Sequence, residues 1–107
     1  MESNKVIYIA GPIKGVDHYW EAFEKAEDTL IAHGFIPISP TRLPSGLTNA
    51  QYTRINLATI DAADAVYFLP GWENSSGAWV EMNYCTYTCK PAFTSLDFLV
   101  EVWGWKH

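Results

Sequence analysis

Apolar and polar positions along the chain follow two rhythms in turn. Lys5-Val-Ile-Tyr-Ile-Ala10 is a short apolar run halted by Gly11-Pro12, the pattern of a buried parallel strand that ends in a turn. From about Tyr19 to His33, Phe23, Ala26, Leu30 and Ile31 recur at helical spacing, and Gly34 is placed to end that helix. Phe35-Ile-Pro-Ile-Ser39 reads as a second strand, and Pro37, which has no N–H, predicts an edge position. Pro40 to Leu47 reads as a loop. Thr48 with Gln51 three residues on forms a capping box. The helix it opens is expected to turn Tyr52, Ile55, Ala58 and Thr59 inward and to end near Asp61-Ala-Ala-Asp64. Ala65-Val-Tyr-Phe-Leu69 is a third strand, broken by Pro70-Gly71. Ser75 or Ser76 caps a helix running to about Thr88. Pro91-Ala-Phe-Thr94 is a fourth strand, and Ser95 opens a short helix from Leu96 to Val102, ahead of Trp103-Gly104-Trp105.

Strand and helix alternate without a linker or internal repeat, which is the mark of right-handed βαβ units. The expected architecture is one α/β domain over residues 1–107: a small doubly wound, Rossmann-like parallel sheet of about four strands. Ligands of such sheets bind outside the carboxyl ends of the strands. Two loops lie there, Gly11-Pro-Ile-Lys-Gly15 running on to Trp20, and Pro70-Gly-Trp-Glu-Asn-Ser-Ser-Gly77. In the second, Gly71 and Gly77 permit close approach to the backbone. Ser75, Ser76 and Gly77 offer free N–H groups at a helix start, where an anion is favoured. Trp72 presents a flat face and Asn74 both donor and acceptors. Glu81, one turn beyond Gly77, can accept two ribose hydroxyls or attack an anomeric carbon. In the first loop Lys14 reads as a solvated charge, and Trp20 is placed to overhang the pocket mouth.

Composition narrows the partners. The chain has 107 residues, 49% hydrophobic and 18% charged, which suits one globular core. Aromatics reach 15%, more than a core this small can hide, so some are expected at a ligand or an interface. Trp103 and Trp105 are expected against a symmetry mate. A net charge of −5 argues against a nucleic-acid polymer, which calls for clustered Lys and Arg. It leaves a small nucleotide open. Cys85 and Cys89 lie one helical turn apart, unsuited to a disulfide, with Cys85 a core residue. Together with His18, His33 and His107 they lack ligand spacing, so neither metal nor cofactor is expected. No signal peptide or membrane-spanning run is read, which makes the cytoplasm the expected compartment.

Tyr8-Ile-Ala-Gly-Pro12, followed by Ala63-Asp-Ala-Val-Tyr-Phe-Leu-Pro-Gly-Trp-Glu-Asn-Ser-Ser-Gly-Ala-Trp-Val-Glu81, resembles a small phage-associated family related to the nucleoside 2-deoxyribosyltransferases. The likeness covers about residues 5 to 94. The transferases use a Glu on this helix as nucleophile, and Glu81 matches it. They carry acids just before the glycine, where this chain has Ser75 and Ser76. The resemblance therefore implies a non-enzymatic protein like the second type of Thoeris anti-defence protein. Such a protein is a homo-oligomer, expected to be a tetramer, in the infected host cell. It sequesters cyclic ADP-ribose isomers, and at a separate site cyclic dinucleotides, without cleaving them. On that reading Trp20, Phe23, Trp72 and Asn74 meet base or ribose. Gly11, Pro12, Ile13, Ser75, Ser76 and Gly77 surround the phosphates. Arg54 reaches a phosphate from a neighbouring subunit, and Glu81 holds a hydroxyl. The alternative is a nucleoside 2-deoxyribosyltransferase or N-glycosidase with Glu81 as nucleophile. A third reading is an interaction domain whose aromatics serve interfaces only.

Overall fold

The computed structural model describes residues 4–105. Four strands, β1 (Val6–Ala10), β2 (Ile36–Ile38), β3 (Ala65–Phe68) and β4 (Ala92–Phe93), form one sheet in the order β2-β1-β3-β4, every pairing parallel. Between and after them come α1 (Tyr19–Ala32), α2 (Asn49–Ala62), α3 (Ser76–Thr88) and α4 (Leu96–Trp103). Short 3₁₀ turns cover Pro40–Arg42 and Trp72–Asn74. This is the expected α/β architecture with a four-stranded parallel sheet. Pro37 lies in β2 at the sheet edge, opposite Ile7.

Strand alternation gives the sheet two separate cores. Ile7 and Ile9 point to a core with Phe23, Ala26, Leu30 and Leu99, under α1 and α4. Tyr8 and Ala10 point the other way, to a core with Ile60, Ala63, Val66, Phe68, Ala78 and Cys85, under α2 and α3. Local chemistry sets the helix ends. Gly34 takes φ 86° after α1, a left-handed conformation that an L side chain resists. Thr48 Oγ1 accepts from Gln51 N at 3.1 Å while Gln51 Oε1 accepts from Thr48 N at 2.9 Å. Ser75, of the two candidates, caps α3 by accepting from Ala78 N at 3.2 Å.

Two expectations are corrected. On α2 the inward residue is Ile60, with Leu57 packed beside it, whereas Ile55 and Ala58 are exposed. Ala and Thr fit either side of a helix, so their spacing did not fix the phase. The tail aromatics pack on their own chain. Trp103 meets Phe93 at 5.4 Å, and Lys5 Nζ lies 4.9 Å over its ring. Trp105 fills the space left by Gly34: a Cβ there would stand 2.2 Å from Trp105 Cε2. The Trp105 backbone N–H donates to His33 O at 3.0 Å. Both cysteines are free, Cys85 buried and Cys89 exposed. His107 lies outside the described residues. No helix among the described residues is long and apolar enough to cross a membrane.

Candidate active site

The carboxyl ends of β1 and β3 are neighbours, with Ala10 opposite Phe68 and Leu69 N donating to Ala10 O at 2.8 Å. That pairing brings the two sequence-predicted loops together. Gly11 packs so tightly on β3 that a Cβ would stand 2.8 Å from Leu69 Cδ1. Gly71, at φ 87°, turns the chain so that a Cβ there would be 3.9 Å from Pro12 Cγ. The 3₁₀ turn then feeds α3, where Ser76 and Gly77 are exposed at the helix start. Trp72 is half-buried on the α2–α3 core, 5.3 Å from the Phe68 ring and 4.6 Å from that of Trp79. Trp79 Nε1 donates to Glu73 O at 2.8 Å, tying α3 back to the turn. Asn74 is exposed.

Glu81 lies one turn into α3 beyond Gly77 and points into the sheet. It is only 9% exposed. Its Oε2 accepts a 2.7 Å hydrogen bond from Tyr8 OH on β1. Oε1 accepts no hydrogen bond from the described residues. Burial pushes the carboxyl up to about 7, and the Tyr8 hydrogen bond works against that rise. Tyr8 itself is held far above the usual phenol value, by burial first and then by the Glu81 charge. Burial also pushes the Cys85 thiol up to about 11, with Glu81 adding to the effect and Lys90 opposing it. The result is a carboxylate poised near neutrality, held at one oxygen by a phenol that stays protonated.

Tyr8 also lines a shallow open cleft between β2 and α2. Ile38, Pro40, Leu43 and Ile55 give it apolar walls, and Ser39, Asn56 and Thr59 its polar atoms. Ser39 Oγ is engaged with Thr41, and Thr59 Oγ1 donates to Ile55 O, which leaves the Asn56 amide available. The cleft's enclosed part is only about 30 Å³, room for a water rather than for a ring.

The structure separates other residues from this centre. Phe23 is wholly buried in the α1-side core, on the opposite face of the sheet from Glu81, and cannot meet a ligand there. Ile13 packs on that same core. Trp20 lies at the start of α1 with its ring against His18 at 5.1 Å and Tyr19 at 5.5 Å. Arg54 is exposed on α2 and does not line the cleft. Lys14 donates to Asn49 Oδ1 at 3.2 Å. Sequence reasoning missed Tyr8 as a site residue. Its signal was present: a phenol inside a run of buried aliphatics must find a partner for its hydroxyl.

The four-stranded parallel sheet with its four helices is the fold of nucleoside 2-deoxyribosyltransferase structures. Two of the solved structures that share it are enzymes of that name. A 2-desoxiribosyltransferase from Leishmania mexicana aligns at 22% identity and TM-score 0.66, over 82% of this chain and 61% of that one. A 2-deoxyribosyltransferase from Bacillus psychrosaccharolyticus aligns at 23% identity and TM-score 0.63, over 81% of this chain and 69% of that one. The present chain thus spans about three fifths of the Leishmania chain it matches. No curated protein sequence matches it. The chain belongs to the family described as Domain of unknown function (DUF4406), whose model matches residues 5–94.

These likenesses overturn the expectation of a non-enzymatic protein. Both structures are of transferases, so the fold points to an enzyme family. Ser75 and Ser76, where acids are missing, lie beside a Glu81 that is buried and hydrogen-bonded to Tyr8. Nothing in the likenesses carries the anti-defence, phage or cyclic ADP-ribose assignment.

Proposed function

We propose that this chain cleaves the N-glycosidic bond of nucleosides, as a 2-deoxyribosyltransferase or N-glycosidase with Glu81 as nucleophile. The observation that carries the reading is the 2.7 Å Tyr8–Glu81 hydrogen bond inside the α2–α3 core. Tyr8 anchors Oε2 and leaves Oε1 to attack the anomeric carbon. As the C–O bond to Glu81 forms, the C–N bond breaks and its electron pair leaves with the base, which takes a proton from solvent. An acceptor base or water then attacks the same carbon and releases Glu81 as carboxylate. The start of α3 faces the sugar and any 5′-oxygen substituent.

The test is incubation of the protein with purine and pyrimidine deoxynucleosides, with and without a second free base, read by chromatography. Base release or exchange is expected, falling at least a hundredfold in Glu81→Ala. Absence of release and exchange across the panel would overturn the proposal.

A further inference from the structure

Glu81 is shut in. It is 9% exposed and Tyr8 1%, and the cleft beside Tyr8 encloses room for a water only. A nucleoside reaches Oε1 only after part of the chain moves.

α2 and α3 lie side by side on the Tyr8 face of the sheet, joined by the hydrogen bond from Tyr84 OH to Asp61 Oδ1. α2 starts after β2 and α3 after β3, and β1 runs between those two strands. The gap between the first turns of the two helices therefore opens over the carboxyl end of β1. Below it lie Tyr8, two residues from that end, and Glu81, in the second turn of α3. The loop from Gly11 to His18 crosses this gap. On the α3 side, Pro12 borders Gly71, where a Cβ would stand 3.9 Å from Pro12 Cγ. On the α2 side, Lys14 Nζ donates to Oδ1 of Asn49, the first residue of α2, at 3.2 Å. Among the described residues, that is the one hydrogen bond between this loop and α2.

The rest of the loop is loosely held. Ile13 and Tyr19 pack on the α1-side core, but residues 14–18 between them are all exposed. Gly15 turns at φ 74°, and a Cβ there would meet nothing within 4 Å. Val16 N bonds only back to Ile13 O, at 3.3 Å, within the loop itself. A segment fixed at both ends, exposed between them and fastened by one side chain has the anatomy of a flap.

We propose that residues 14–18 form a flap over Glu81, latched shut by the Lys14–Asn49 hydrogen bond, and that substrate enters when the latch opens. The inference rests on the reading of Glu81 as the carboxylate that substrate must reach. A surface hydrogen bond from an ammonium to a neutral amide shifts an open–closed balance by about fivefold. Such a latch keeps the flap closed most of the time and still yields to substrate.

Labelling of carboxyls with a water-soluble carbodiimide and glycine ethyl ester, mapped by peptide mass spectrometry, tests this without calling on activity. Glu27 on α1 is 8% exposed and serves as the internal standard. Lys14→Ala and Asn49→Ala are each expected to label Glu81 about fivefold faster than wild type, with Glu27 unchanged. The double variant is expected to match either single one, because both remove the same bond. Asn49→Asp gives Lys14 a charged partner and is expected to slow the labelling of Glu81, which a merely loosened fold does not do. Both positions are exposed, so melting temperatures are expected to stay at the wild-type value. Equal Glu81 labelling in all variants, faster labelling in Asn49→Asp, or a parallel rise at Glu27 would overturn the proposal. The labelling response stands apart from base release. The expected response without any base release supports the flap and removes Glu81 as nucleophile, and base release with an unmoved response does the reverse.

Discussion

A carboxyl whose ordinary value is near 4.5 sits at about 7 in this fold because α3 holds it out of water. The proposed reaction needs Glu81 ionised, so kcat/KM for base release is expected to rise with pH through about 7. The Tyr8 hydroxyl pulls against that shift by bonding the charged form. Tyr8→Phe removes the bond and moves the rising limb to higher pH, with a lower rate at neutrality. A pH–rate profile of both proteins measures this. A limb that stays in place would mean that the phenol does not touch the reacting carboxylate.

Elements matter here through their ends. The site depends on α3 beginning where it does, and Ser75 sets that point by accepting from Ala78 N. Ser75→Ala is expected to destabilise the protein by about 1 kcal/mol in urea unfolding, the usual cost of a lost N-cap. Gly11 is a different case. It lies where β1 meets the end of β3, and a methyl there would collide with Leu69 Cδ1 and Cβ at 2.8 and 2.9 Å. Gly11→Ala forces that leucine, or the loop, to move. A loss on the order of 1–3 kcal/mol is expected, as for overpacked cores. Because the same loop borders Gly71, activity is expected to fall further than stability alone explains.

For the whole molecule, the buried carboxyl opposes folding. The folded state keeps its proton to a higher pH than the unfolded chain, so between about 4.5 and 7 it binds more protons. Stability therefore falls as pH rises through that window. A rise from 4.5 to about 7 corresponds to a loss on the order of 3 kcal/mol above about pH 7. Glu81→Gln keeps an acceptor for Tyr8 and removes the charge. It is expected to melt higher than wild type at about pH 8 and nearly with it at about pH 5, while losing base release. Equal melting temperatures at both pH values would show that Glu81 is more solvated than its burial implies.

Most of the fold was legible because its signals are local. Gly34, Pro37, the Thr48–Gln51 box and the apolar β3 run each constrain the few residues around them, and each does in three dimensions what its chemistry demanded. The order of strands and helices followed from the alternation of those segments. The site was legible as two loops and one Glu, since glycines and helix starts at strand ends are readable as such. Other features came from distance in sequence. Tyr8 and Glu81 are 73 residues apart, and only the parallel pairing of β1 with β3 brings α3 over the phenol. Phe23 and Glu81 looked like neighbours in a pocket, but they lie on opposite faces of a sheet whose strands are apolar on both sides. Gly34 reads as a helix stop, and nothing local says that it also seats Trp105. The sequence by itself determined which segments are strands and helices and where loops could hold a ligand, because backbone preferences act over a turn or two. The tertiary structure alone decided which face each residue takes, which phenol holds the carboxylate and how far burial raises its pKa. Those depend on packing between residues that the chain keeps far apart.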